Sequence, residues 1–139
     1  MSVVVTFPVV WEGFGCDVCE GRHNMLFVHE LCKDTFALRQ SKCRTYEAPV
    51  MFLLRGSKIA LLIDSGDLEY DEELVQTLSK LGKGLSLVIT HTHPHSDHIK
   101  GDRSILQSFP GAKLVEDLGN GIELGERFVE VIEAGAGHR

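Results

Sequence analysis

No stretch of this sequence stays apolar for the roughly 18 residues that a bilayer-crossing helix needs, so no membrane partner is expected. The first ten residues, MSVVVTFPVV, lack the basic start and small-residue cleavage site of a secretory signal, and the expectation is a cytoplasmic protein. Basic residues are scarce and scattered. Fourteen Lys and Arg stand against twenty Asp and Glu, a formal net charge of −6, with no basic stripe, so no nucleic-acid partner is expected. Cysteine is absent beyond Cys43. The four present, Cys16, Cys19, Cys32 and Cys43, form one Cys-x-x-Cys followed by two singles, not the doubled pair of a four-cysteine zinc site. Reduced thiols are the reading they support. There is no internal repeat, low-complexity tract or linker.

What is there suits one domain. The chain has 139 residues, 43% apolar and 24% charged, enough to bury roughly two-thirds of its unfolded surface. Residues 1–46 read as an irregular segment, punctuated by Gly13, Gly15 and Gly21, with short strands at Val3–Val5, Met25–His29 and Thr35–Leu38. From residue 47 to 139 the pattern sharpens. Val50–Leu54 and Ile59–Ile63, joined by Arg55-Gly56-Ser57-Lys58, read as a β-hairpin ending in the turn Asp64-Ser65-Gly66. Asp71 as N-cap, Glu72 and Glu73 at the positive end of the dipole, a Leu74/Leu78/Leu81 stripe and a terminating Gly82 define a helix. Leu85–Thr90 reads as a buried strand. A short helix over Asp102–Phe109 and strands at Lys113–Val115 and Phe128–Ile132 follow. The class is α/β.

Seven histidines occur in the chain, and four of them fall between positions 91 and 98, in His91-Thr92-His93-Pro94-His95-Ser96-Asp97-His98. This segment lies just past the carboxyl end of the Leu85–Thr90 strand, where open α/β sheets bind ligands. Imidazole and carboxylate are the donors that zinc and similar ions prefer. One residue apart in extended backbone, His93 and His95 point the same way and can chelate one ion. Asp97 and His98 follow on a turn and can face a second. Asp97 can alternatively hold or deprotonate a metal-held water. A solvated histidine-rich loop would account for the histidines but not for Asp97, Gly101 or Asp64. His91, outside the His93 register, is expected to pack or hydrogen-bond at the strand end.

The run from Thr92 to Gly101 resembles the first metal motif, His-x-His-x-Asp-His, of the metallo-β-lactamase-fold metallo-hydrolases. Leu61-Leu62-Ile63-Asp64-Ser65-Gly66 is similar to the strand end that precedes it in that family. Gly135-Ala136-Gly137-His138 resembles the second metal motif, with Ala136 where the family has proline. The resemblance covers about residues 47–139. It implies a metallo-β-lactamase-like αβ/βα sandwich, of which this sequence holds the N-terminal half: a mixed sheet with flanking helices. It implies zinc, one or two ions or another divalent transition metal, with His93, His95 and His138 on the first ion and Asp97 and His98 on the second. Asp64 would orient a ligand or the loop. It also implies hydrolysis of a small-molecule ester, thioester, amide or phosphoester by metal-activated water, with Asp97 as the catalytic carboxylate. The family's bridging aspartate and last histidine belong to a second half not contained here, so weak turnover is the expectation. The alternative is a non-catalytic metal-binding or assembly module. Without a second half, the inner face of the sheet is expected to be bare. A homodimer packed sheet to sheet would cover it, or the segment 1–45 folded back over it.

Overall fold

Strands with no polar face need cover on both sides, and the hairpin and buried strand of this sequence find it within the chain. The computed structural model describes residues 2–3, 25–42, 46–47, 50–92 and 96–132. In chain order the strands are β1 (Ser2–Val3), β2 (Met25–Cys32), β3 (Thr35–Lys42), β4 (Tyr46–Glu47), β5 (Met51–Arg55) and β6 (Ile59–Ile63). After helix α1 (Glu72–Leu81) come β7 (Ser86–Thr90), α2 (Ser96–Ile99) and α3 (Asp102–Ser108). Strands β8 (Lys113–Leu114), β9 (Gly121–Glu123) and β10 (Phe128–Glu130) complete the order. A seven-stranded mixed sheet runs β2-β3-β5-β6-β7-β8, with β4 paired to β3. A small sheet, β1-β10-β9, lies apart from it.

Helix α1 has the ends its sequence announces. The Asp71 carboxylate accepts the Leu74 N–H at 3.2 Å, and the Gly82 N–H closes on the Leu78 carbonyl. The hairpin β5–β6 pairs in the expected place, with Leu53 opposite Leu62. The early segment is more regular than expected. Strands β2 and β3 are eight residues each, and β3 pairs directly with β5, so residues 25–42 belong to the main sheet. Their turn, Lys33-Asp34, places Asp34 at φ 61°, a conformation that aspartate tolerates. Arg39, Gln40, Ser41 and Lys42 hid the second half of β3 from a reading based on apolar runs. Asp97 and His98, expected on a turn, lie in the single helical turn α2. Strands β8 and β10 stop one and two residues short of expectation. Gly121–Glu123 is a further strand, paired with β10.

Alternation along the strands sends side chains into two cores. On one face Leu38, Leu53, Leu62 and Ile89 pack under Leu74 and Leu78 of α1 and Ile105 of α3. On the other, Phe52, Leu54, Leu61 and Val88 pack against Leu124 and Val129 of the small sheet. This second face was expected to be bare, and it is buried. Its cover among the described residues comes chiefly from downstream of β8, so the ground for expecting a sheet-to-sheet dimer is removed. The small sheet is fastened at two points. The Lys58 and Ile59 N–H groups both donate to the Leu124 carbonyl, at 2.9 and 3.1 Å. Arg127 donates to the carbonyls of Asp34 and Arg55 and to Thr35 Oγ1. Gly56 makes room for the first fastening, since a Cβ there would sit 2.1 Å from the Leu124 carbonyl oxygen. No helix among the described residues is long and apolar enough to cross a membrane.

Two substitutions test the two cores separately by chemical denaturation. Leu62→Ala leaves a cavity under α1 and is expected to cost about 2–5 kcal/mol. Gly56→Ala forces the small sheet off the hairpin and is expected to cost about 1–3 kcal/mol. Wild-type stability in Gly56→Ala would show that the Leu124 contact does not hold the small sheet in place.

Candidate metal centre

Parallel pairing of β6 with β7 brings Ile63 beside Thr90, so the turns that leave both strands open at one edge of the sheet. The Asp64 N–H still donates to the Thr90 carbonyl at 2.8 Å, one step past the ladder. The chain then breaks sharply, with Asp64 at φ 68° and Gly66 at φ 86°. A non-glycine residue in the left-handed region is strained unless local bonds hold it, and aspartate is among the few that tolerate it.

Those bonds come from the neighbouring segment. The Asp64 side chain is 1% exposed. Its Oδ1 accepts the Thr92 N–H at 2.8 Å, and its Oδ2 accepts the Thr92 hydroxyl at 2.8 Å. His98 Nδ1 lies 2.7 Å from the same Oδ2. Facing a carboxylate acceptor, Nδ1 carries the proton, which leaves Nε2 as the lone-pair nitrogen of the ring. A buried carboxylate is tolerable only when so supplied with donors. Asp64 thus grips the residue before His93 and the last histidine of the motif.

The backbone adds further ties. The Ser65 N–H donates to the His98 carbonyl at 2.8 Å, and the Lys100 N–H to the Gly66 carbonyl at 3.1 Å. Gly101, the trailing glycine of the motif, is required sterically, because a Cβ there would lie 2.2 Å from the Ser65 carbonyl oxygen. Lys100 pairs with Asp67 at 3.1 Å.

Three residues of this frame were not singled out from sequence. Ser65 Oγ donates to Asp102 Oδ1 at 2.6 Å. The other oxygen of Asp102 lies 2.7 Å from His91 Nε2. That nitrogen makes no hydrogen bond of good geometry, so the contact is one of proximity. His91, 6% exposed, thus stays at the strand end as expected. Gln40, fully buried, accepts the Asp67 N–H at 2.9 Å and donates to the Asp71 carboxylate at 3.1 Å, linking the Asp64 turn to the N-terminus of α1. The one available signal for Gln40 was an uncharged polar residue in a strand flanked by apolar ones. Asp102 read only as a helix start.

His93, His95 and His138 lie outside the described residues, as does the side chain of Asp97. Of the expected ligands, His98 alone has its side chain described, at 2.7 Å from Asp64. Among the described residues no group of three His, Cys, Asp or Glu is placed to hold an ion. The donor chemistry nevertheless fits a metal. A histidine whose Nδ1–H is taken by a buried carboxylate has the tautomer and ring orientation that a ligating imidazole needs. Cys32 is exposed at the end of β2, and Cys16, Cys19 and Cys43 lie outside the described residues.

No family model matches the chain. It is similar to the hydroxyacylglutathione hydrolase of Acaryochloris marina (strain MBIC 11017), 40% identical over 55 residues, which are 40% of this chain and 20% of that protein. It is also similar to hydroxyacylglutathione hydrolase 1 of Vibrio vulnificus (strain YJ016), 31% identical over 80 residues, 58% of this chain and 31% of the relative. The matches thus span between a fifth and a third of these relatives. Among solved structures, a diflavin flavoprotein fragment from Nostoc sp. PCC 7120 superposes with a TM-score of 0.56 at 15% identity, over 76% of this chain and 54% of the other. A metallo-β-lactamase from Hirschia baltica superposes with a TM-score of 0.50 at 15% identity, over 70% and 56%. At such identities the structural likeness speaks for the fold alone. The chain is thus similar in sequence, over part of its length, to two hydroxyacylglutathione hydrolases, and its fold is that of the metallo-β-lactamases.

Proposed function

We propose that this chain carries the metal-holding part of a metal-dependent hydrolase. The observation that supports the reading is the Asp64 carboxylate, buried and bonded at 2.7–2.8 Å to Thr92 and His98 on either side of the histidine segment. A frame of this kind serves no purpose for a solvated loop. It fixes Thr92, the residue before His93, and the orientation of the His98 ring. His93, His95 and His138 would hold a first zinc ion, and Asp97 and His98 a second. When bound, such an ion supplies Lewis acidity and makes water nucleophilic at neutral pH. The chain's own residues orient the donors: Asp64 sets the His98 tautomer, and the Thr92 bonds fix the entry to the loop. Asp97 would be the carboxylate that accepts a proton from water.

The bond hydrolysed would be an ester, thioester, amide or phosphoester of a small molecule. Both sequence relatives are named for hydroxyacylglutathione, which makes an acylglutathione the first substrate to try. The second reading is a binding module that holds metal without turnover. Metal bound in the absence of any chelator-sensitive hydrolysis would select it.

Metal content decides the site. The purified chain is expected to hold about one zinc ion tightly, and elemental analysis of a His93→Ala/His95→Ala double variant is expected to find none. Unchanged metal in that variant would place the site elsewhere. Asp64→Asn retains the shape but cannot accept from both Thr92 and His98 in the same way, and is expected to weaken zinc binding about 10- to 100-fold in a chelator competition. Wild-type affinity in Asp64→Asn would separate the buried carboxylate from the metal.

A further inference from the structure

We propose that Asp102 is a positioning residue for the histidine segment, acting through Ser65 and His91 as a second carboxylate clamp beside Asp64. The inference rests on the metal-site reading above. Asp102 lies in the first turn of α3, where a negative charge favours the helix dipole. A carboxylate serving only that purpose would face its own helix N–H groups or solvent. Both oxygens of Asp102 reach across to other segments instead. Oδ1 takes the Ser65 hydroxyl at 2.6 Å, and Oδ2 faces His91 Nε2 at 2.7 Å.

The placement of these partners gives the contact its consequence. Ser65 follows Asp64 directly, and its N–H holds the His98 carbonyl at 2.8 Å. His91 precedes Thr92, whose N–H and hydroxyl are both taken by Asp64. One carboxylate therefore ties the end of β6, the end of β7 and the start of α3, the three points from which residues 92–98 are suspended. The helix start can come this near only because residue 101 is glycine, pressed against the Ser65 carbonyl. With its Nε2 2.7 Å from the Asp102 carboxylate and its side chain 6% exposed, the His91 ring packs against Asp102 at the end of β7. Asp64 holds Thr92 and His98 directly, and Asp102 holds their neighbours Ser65 and His91.

The test uses the full chain with zinc in competition against a chromophoric chelator, cobalt(II) absorption, and melting of the metal-free protein. Asp102→Ala is expected to bind zinc about 10- to 100-fold more weakly than wild type, with altered cobalt bands. Asp102→Asn, which keeps an oxygen for Ser65, is expected to recover most of that loss. If Asp102→Ala does not fold, His91→Gln takes its place, with a weakening in the same direction expected. Wild-type affinity and an unchanged cobalt spectrum in the folded variant would overturn the proposal while leaving the metal reading intact. Losses in both Asp102 variants that merely follow a lower metal-free melting temperature would also overturn it. A wild-type chain that binds no zinc would overturn both.

Discussion

A carboxylate withdrawn from water is the constraint around which this end of the molecule is arranged. Asp64 is 1% exposed and carries two oxygens that must be given donors. Three arrive, two from Thr92 and one from His98. Leaving one such donor position empty in a buried group costs on the order of 1–3 kcal/mol, and more for a charged one. The segments that bring the donors are thereby held as firmly as the core beneath them. The left-handed backbone at Asp64 belongs to the same arrangement, because it turns the side chain back over the edge of β7 instead of letting the strand run on. A rotation to ordinary strand geometry would relieve the backbone and strand the charge.

The position of that carboxylate follows from the way the sheet is covered. Strands β5, β6 and β7 are apolar on both sides, with α1 and α3 over one face and the β9–β10 hairpin over the other. Burial on both faces leaves only the strand ends free for polar chemistry. At one such edge β6 and β7 end side by side because they run parallel. Arg127 and the Leu124 carbonyl keep the small sheet in place far from this edge, on the Arg55–Ile59 side of the hairpin. The two ends of the β5–β6 hairpin therefore do different work: the turn anchors a layer, and the open end carries the candidate site.

Much of this was legible in the sequence, for reasons that can be named. The α1 helix announced itself through Asp71, its leucine stripe and Gly82, and the β5–β6 hairpin through two apolar runs around Gly56. Asp64, Thr92, His98 and Gly101 stand out in the sequence because a frame of this sort fixes residue type and spacing together. The Gly101 requirement has a steric cause that spacing alone could not supply. The parts that escaped depend on partners distant along the chain. The length of β3 is set by pairing with β2 and β5 against a polar local sequence. The cover of the inner face depends on where a hairpin of weak pattern, Gly121–Glu123 with Phe128–Glu130, comes to rest. Gln40 meets the Asp64 turn across 27 residues, and Asp102 meets Ser65 across 37. No periodicity encodes a contact between single polar side chains at such separations.

Fold and chemistry part company at this point. A flavoprotein fragment and a β-lactamase superpose on the same scaffold at 15% identity, so the scaffold by itself selects no reaction. What narrows the choice is how the residues that hold a loop are divided from those the loop displays. Asp64, Ser65, Gln40 and Asp102 all sit on strand ends, a strand or a helix start, and their bonds run between elements rather than into solvent. Thr92 and His98 are held by those fixed points. An arrangement of this kind tolerates change in the displayed residues, whose side chains the core does not need. It resists change in the holders, each of which would leave a buried polar partner unmatched. Loss of Asp64 or Asp102 would therefore disturb the frame itself, whatever residues the loop carries.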